Sequence, residues 1–158
     1  MSKIIYTQEN GVVAVVHPSD QSLKEMTIEE IAQRVVPVGI TTYSIVADSV
    51  IPTDRSFRNS WVGVGIGSTS GTTITEDITK AKELHKVKIR EARVDKFAEL
   101  DVEYQRATET SADTSAIVAK KQALRDAPAA SGIATAVNTT DLKAQWDTSI
   151  LGSNPYYK

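Results

Sequence analysis

The sequence predicts an α+β protein: a small N-terminal α/β module of hairpin, helix and strand, then a long α-helical hairpin, then a short C-terminal helix and tail. Three observations predict it. An Asn10-Gly11 pair stands between two β-prone runs, apolar residues recur at helical steps from Ile78 to Ala107, and no glycine or proline interrupts residues 75–127. Asn-Gly between such runs is a strong hairpin signal, and a helical apolar period without breakers is a strong helix signal.

In the first module, residues 1–62, the β-prone runs are Lys3–Thr7 and Gly11–His17. Thr27 then fits an N-cap with Glu30 as its capping-box partner. Ile28, Ile31, Ala32 and Val35 follow on one helical face, and Pro37 stops the helix. Thr42–Ala47 is a further β-rich run. Residues 63–75 read as a flexible Gly/Ser/Thr-rich linker, because Gly63–Thr73 holds four glycines and five hydroxyl residues. A phosphate-cradling loop fails on spacing: there is no lysine for a Walker loop, and Ser68 or Ser70 stands where GxGxxG needs glycine.

Residues 76–127 read as the helical hairpin, capped by Thr75 with Glu76 and Asp77 in its first turn. Its long arm carries an apolar stripe through Ile78, Ala81, Leu84, Ile89, Ala92, Phe97, Leu100, Tyr104 and Ala107 and is expected to end at Glu109. A turn at Thr110–Thr114 leads into a shorter helix, Ala116–Asp126, closed by Pro128. Reversal near Ser111 sets Lys120 and Lys121 opposite Val102 and Asp101. Residues 128–158 form an extended C-terminal segment with one short helix, capped by Thr140, that places Leu142 and Trp146 on one face. The aromatic tail around Tyr156 and Tyr157, kept from helix by Pro155, is expected to dock on a surface.

Charge is unevenly placed. Residues 80–96 hold seven basic and three acidic side chains, net +4, whereas residues 97–113 hold Arg106 against five acids, net −4. The basic half lies beyond the reach of the short arm, whose few apolar residues are too few to cover the long stripe. The long helix is therefore expected to complete its burial on another copy or another protein, the alternative being to pack back on residues 1–62. Its basic half is expected to dock an acidic surface, for example the Glu99–Glu109 half of a second copy packed antiparallel. The candidate protein-binding residues there are Lys86, Ile89, Arg90, Arg93, Phe97 and Leu100, with Tyr156 and Tyr157 in the tail. A second candidate surface is Arg55, Phe57, Arg58 and Trp61, where two aromatics stand beside two guanidiniums. The competing reading makes Phe57 and Trp61 a core plug.

The same composition argues against other classes. A net charge of −2 provides no overall field for nucleic acid, and no aromatic is interleaved in the basic run for base stacking. With no cysteine there is no disulfide, thiolate metal site or cysteine nucleophile. The two histidines, His17 and His85, lack a second ligand at metal-site spacing. Glu99, Asp101 and Glu103 fan around a helix instead of pairing. No apolar run approaches the roughly 20 residues of a membrane span, and no secretory signal is expected. A non-enzymatic protein without cofactor or metal is the expectation.

Thr27-Ile28-Glu29-Glu30-Ile31-Ala32, Pro37, Asp48 to Pro52 and Asp54-Arg55-Ser56-Phe57-Arg58-Asn59-Ser60-Trp61 occur in that order. The order resembles small phage proteins with a consensus close to PxDRTFRNAW. A lysine-rich helix ending like Ala119–Asp126, and an LKAxW-like piece at Leu142–Trp146, extend the resemblance over most of the chain except the glycine-rich stretch and the final tail. It implies a bacteriophage protein with a virion or assembly role and does not specify which. The expected place is the virion, assembled in the host cytoplasm beside other phage structural proteins, and the uncovered apolar stripe adds that it works as one of several copies. A tail-region role (baseplate, fibre adaptor or tail tip) stands first. A head, neck or capsid-decorating role and a tail or fibre assembly chaperone stand as alternatives.

Overall fold

The computed structural model describes residues 1–68 and 70–157; Thr69 of the glycine-rich stretch and Lys158 of the tail lie outside the described residues. The chain divides into two units, Met1–Asp77 and Ile78–Lys158.

The first unit is built on an antiparallel sheet of strands β1 (Ser2–Thr7), β2 (Val13–Val16) and β3 (Tyr43–Ala47), with β1 central. The Asn-Gly signal is realised: β1 and β2 pair from Thr7↔Val13 to Ile4↔Val16, and Gly11 takes a left-handed φ of 77°. Alternation along β1 buries both faces of the sheet. Ile4 packs with Ile31 and Ala32 of helix α2 (Ile28–Val35), alongside Leu23 of helix α1 (Asp20–Glu25). Ile5 packs on the other face with Val13, Val46, Ile51 and Trp61. The capping box at α2 forms as its spacing predicts, with the Thr27 amide donating to Glu30 Oε2 at 2.8 Å and the Glu30 amide donating to Thr27 Oγ1 at 3.2 Å.

The glycine-rich stretch is not a linker. Strand β4 (Trp61–Val64) pairs antiparallel with β5 (Thr73–Glu76), making a second hairpin inside the first unit. Thr75 is therefore a strand residue, not a helix cap. The loop between these strands is tied to the buried Ser44: the Gly67 amide donates to Ser44 Oγ at 2.8 Å, and Ser44 Oγ lies 3.2 Å from Thr72 Oγ1. Thr72 Oγ1 in turn donates to the Gly65 carbonyl at 2.9 Å. Gly65, Gly67 and Gly71 all have positive φ, so these glycines meet backbone geometry and do not supply slack. At Gly63, a Cβ would collide with the side chain of Ile66, which packs against the core of this unit.

The second unit is helical. Helix α3 runs from Ile78 to Glu109, about 48 Å at 1.5 Å per residue, and α4 runs from Ser115 to Asp126. Ser111, at φ 53°, turns the chain between them. The expected register holds: Lys121 Nζ lies 2.6 Å from Asp101 Oδ1 and 4.7 Å from the Tyr104 ring centroid.

The C-terminal segment supplies much of the cover that α4 alone does not give α3, while Tyr104 at the far end of the stripe stays exposed. A 3₁₀ turn at Ala127–Ala129 reverses the chain, and α5 (Ser131–Thr135), α6 (Thr139–Ala144) and α7 (Thr148–Leu151) follow. Helix α3 packs against that turn, α6 and α7 as well as α4. Ala81, His85 and Ile89 recur at steps of four on α3 and are fully buried, as are Leu124, Ile133 and Leu142. Asn138 caps α6, accepting from the Asp141 amide at 2.8 Å, two residues before the expected cap at Thr140.

Candidate functional site

The candidate site develops where the basic half of α3 passes the end of α4. The last carbonyls of any helix lack intrahelical donors and carry its partial negative charge. Arg93 answers both needs by donating from Nη1 to the carbonyls of Leu124 at 3.2 Å and Arg125 at 3.3 Å. Its guanidinium and that of Arg125 stand 5.9 and 5.8 Å from the Phe97 ring centroid, so one half-buried ring holds two cations in place.

Arg93 and Arg125 belong to one wall of a groove of about 400 Å³. Lys86, Arg90, Arg93 and Arg125 supply its charge, and Pro128, Ala129, Ala130, Ile133 and Ala134 supply an apolar wall; no carboxylate lines it. Lys86 pairs with Glu83 at 2.8 Å, one turn earlier on α3, and that contact holds the Glu83 carboxyl below its usual range. Arg90 is exposed and makes no hydrogen bond or ion pair among the described residues. Lys82 lies outside the groove and donates to the Ala134 carbonyl at 2.6 Å. The basic run is thus divided between internal carbonyl capping and an open, positively charged groove.

Behind it lies a feature that the sequence reading missed. His85 is fully buried, its Nδ1 2.8 Å from the Tyr156 hydroxyl and its ring stacked on Tyr156 at 5.6 Å. Trp146 meets both rings edge-on, at 6.1 Å in each case, and donates from Nε1 to the Gly152 carbonyl at 3.1 Å. Burial, and secondarily the Lys88 charge, lowers the His85 pKa to about 4; burial raises that of Tyr156. The aromatic tail does dock, but on its own unit. Only its remoteness in sequence from His85 hid this.

The remaining expected binding residues divide by burial. Phe57 and Trp61 are 1% and 0% exposed and belong to the core of the first unit, so the core-plug reading replaces the docking one for them. Arg55 and Arg58 are exposed, Arg55 lying 5.7 Å from the Trp61 ring centroid. Ile89 and Leu100 are likewise core residues, Tyr156 is held against His85, and Tyr157 is exposed. Lys86, Arg90 and Arg93 are the three that the fold brings together.

Compared with known proteins, the chain matches no family model, no curated protein and no solved structure. Among the described residues no group of three or more His, Asp or Glu side chains could hold a metal ion, and no helix is long and apolar enough to cross a membrane.

Proposed function

We propose that this chain is a non-enzymatic structural component of a bacteriophage virion, placed in the tail region and docked to a neighbouring structural protein through the basic groove of its helical unit. The docking half of this reading rests on one observation: four cationic side chains converge on a groove with an apolar wall and no carboxylate. Such a surface complements an acidic protein segment carrying small apolar side chains, with the charges setting orientation and association rate. No aromatic ring lines the groove, which favours a protein partner over single-stranded nucleic acid. The virion half rests on the resemblance carried by Asp54–Trp61 and Leu142–Trp146.

Two measurements test it. Mass spectrometry of purified particles should find the chain; its absence from them would favour an assembly chaperone, and a capsid-like copy number would move it to the head. The double reversal Lys86→Glu with Arg90→Glu should then block incorporation while preserving the helical content of the free protein. Normal incorporation of that variant would overturn docking through the groove.

A further inference from the structure

We infer that the neighbour in the groove is a second copy of this chain, contributing the acidic tip of its helical hairpin. This rests on the docking reading above and adds the identity of the partner.

Tip and groove complement each other in charge. From Val102 around the turn to Val118 the hairpin holds three acids and one base, net −2, with Lys120 and Lys121 just beyond it, whereas the groove holds four cations, one of them, Lys86, paired with Glu83. The exposed members match: Glu103 at the tip and Arg90 in the groove face solvent and make no ion pair or hydrogen bond among the described residues, although Arg90 also acts at longer range on Glu83. The tip also leaves apolar surface open, with Val102 49%, Val118 47% and Tyr104 39% exposed, and the groove offers Pro128, Ala129 and Ile133 opposite its cations.

Geometry decides against a contact within one chain. Arg90 and Glu109 lie on the same unbroken helix, separated by about 28 Å at 1.5 Å per residue, so a tip cannot reach its own groove. The two surfaces are different patches, which makes the contact heterologous: each copy offers one tip and one groove, and repetition gives a ring or a filament. The contact narrows the antiparallel docking of a Glu99–Glu109 half, expected from the sequence, to the tip of the hairpin.

The test is sedimentation of the whole protein, wild type and two variants, with circular dichroism as the check on folding. One variant reverses the groove (Lys86→Glu, Arg90→Glu) and the other neutralises the tip (Glu103→Gln, Glu109→Gln). At about 0.01 M ionic strength, where screening acts only beyond about 30 Å, the wild type should form species larger than a dimer, and it should dissociate near 1 M. Each variant alone should remain monomeric. Mixed in equal amounts they should form dimers and nothing larger, because one intact tip meets one intact groove and both free ends are defective. A wild type that stays monomeric at low salt, a mixture that stays monomeric, or a mixture that grows past dimers overturns the inference. If the wild type is monomeric and the groove variant still fails to enter particles, the groove docks another protein and only the self-contact falls.

Discussion

The imidazole of His85 has no exposed surface, and its Nδ1 meets the Tyr156 hydroxyl at 2.8 Å beside the edge of Trp146. Burial disfavours its charged form, and Lys88 on the next turn acts in the same direction. The pKa falls from 6.5 unfolded to about 4 folded, so between those values the unfolded chain binds the extra proton. The stabilisation is complete above about pH 6.5 and is lost progressively as pH falls toward 4. Thermal melts at pH 7 and pH 5 should show this loss, and a His85→Phe variant should show less of it; an unchanged pH slope would mean that His85 is not the group responsible. At Gly63 the constraint is steric. Gly63→Ala requires the end of the half-buried Ile66 side chain to move aside, which places the cost at the low end of the about 1–3 kcal/mol of overpacking, measurable as a lower denaturation midpoint. Neither feature was legible beforehand. His85 sits in a lysine-rich run and its partner is 71 positions away, while Gly63 looks like any other glycine of its stretch.

At the scale of elements, what could be read from the sequence was local. The Asn10-Gly11 turn, the Thr27–Glu30 box and the end of α3 at Glu109 depend on residues within a turn or two of one another, and all form as expected. The Lys121–Asp101 pair was legible too, because a short turn between two helices leaves little freedom of register. The glycine-rich stretch misled because its order comes from Ser44, 23 positions before Gly67 and 28 before Thr72. Composition reports what a backbone can do, and the distant hydroxyl decides what it does. Limited proteolysis of the wild type should therefore spare the bonds at Gly65–Gly67 and Gly71–Thr72. Ser44→Ala removes the acceptor for Gly67 and the contact with Thr72, and should make that loop the first cleavage site; equal resistance in both proteins would show that the hairpin strands alone hold the loop.

Over the whole molecule, the determining fact is that the last thirty or so residues belong to the core of the helical unit. Pro128, Ile133, Ala136, Leu142, Trp146 and Leu151 are all buried, although the segment is rich in small polar residues and carried little periodic signal. A chain cut after Ala127 would uncover Ala81, His85 and Ile89 together. It should bind a hydrophobic dye and lose helical content, and a truncated protein that remains dye-negative and helical would contradict this account. Ile89→Ala in the full chain should cost about 2–5 kcal/mol by leaving a cavity in the same place. Of the candidate site, the charge of the run was legible and its division was not. Which cations cap carbonyls and which line the groove depends on where the turn at Ala127–Ala129 sends the chain.

The chain has two tryptophans, one in each unit, and their surroundings differ in a way that makes them separate optical reporters. Trp61 is fully buried among Ile5, Val13, Val46 and Ile51, with the Arg55 guanidinium over its ring and its indole N–H unbonded among the described residues, an environment that favours short-wavelength emission. Trp146 donates to a carbonyl and lies edge-on to an imidazole, so protonation of that ring would place a cationic quencher beside it. Replacing either tryptophan by phenylalanine leaves a protein whose fluorescence follows one unit alone. Acid unfolding of the second unit, which the loss described for His85 favours, should then move the Trp146 emission to longer wavelength and leave the Trp61 signal unchanged.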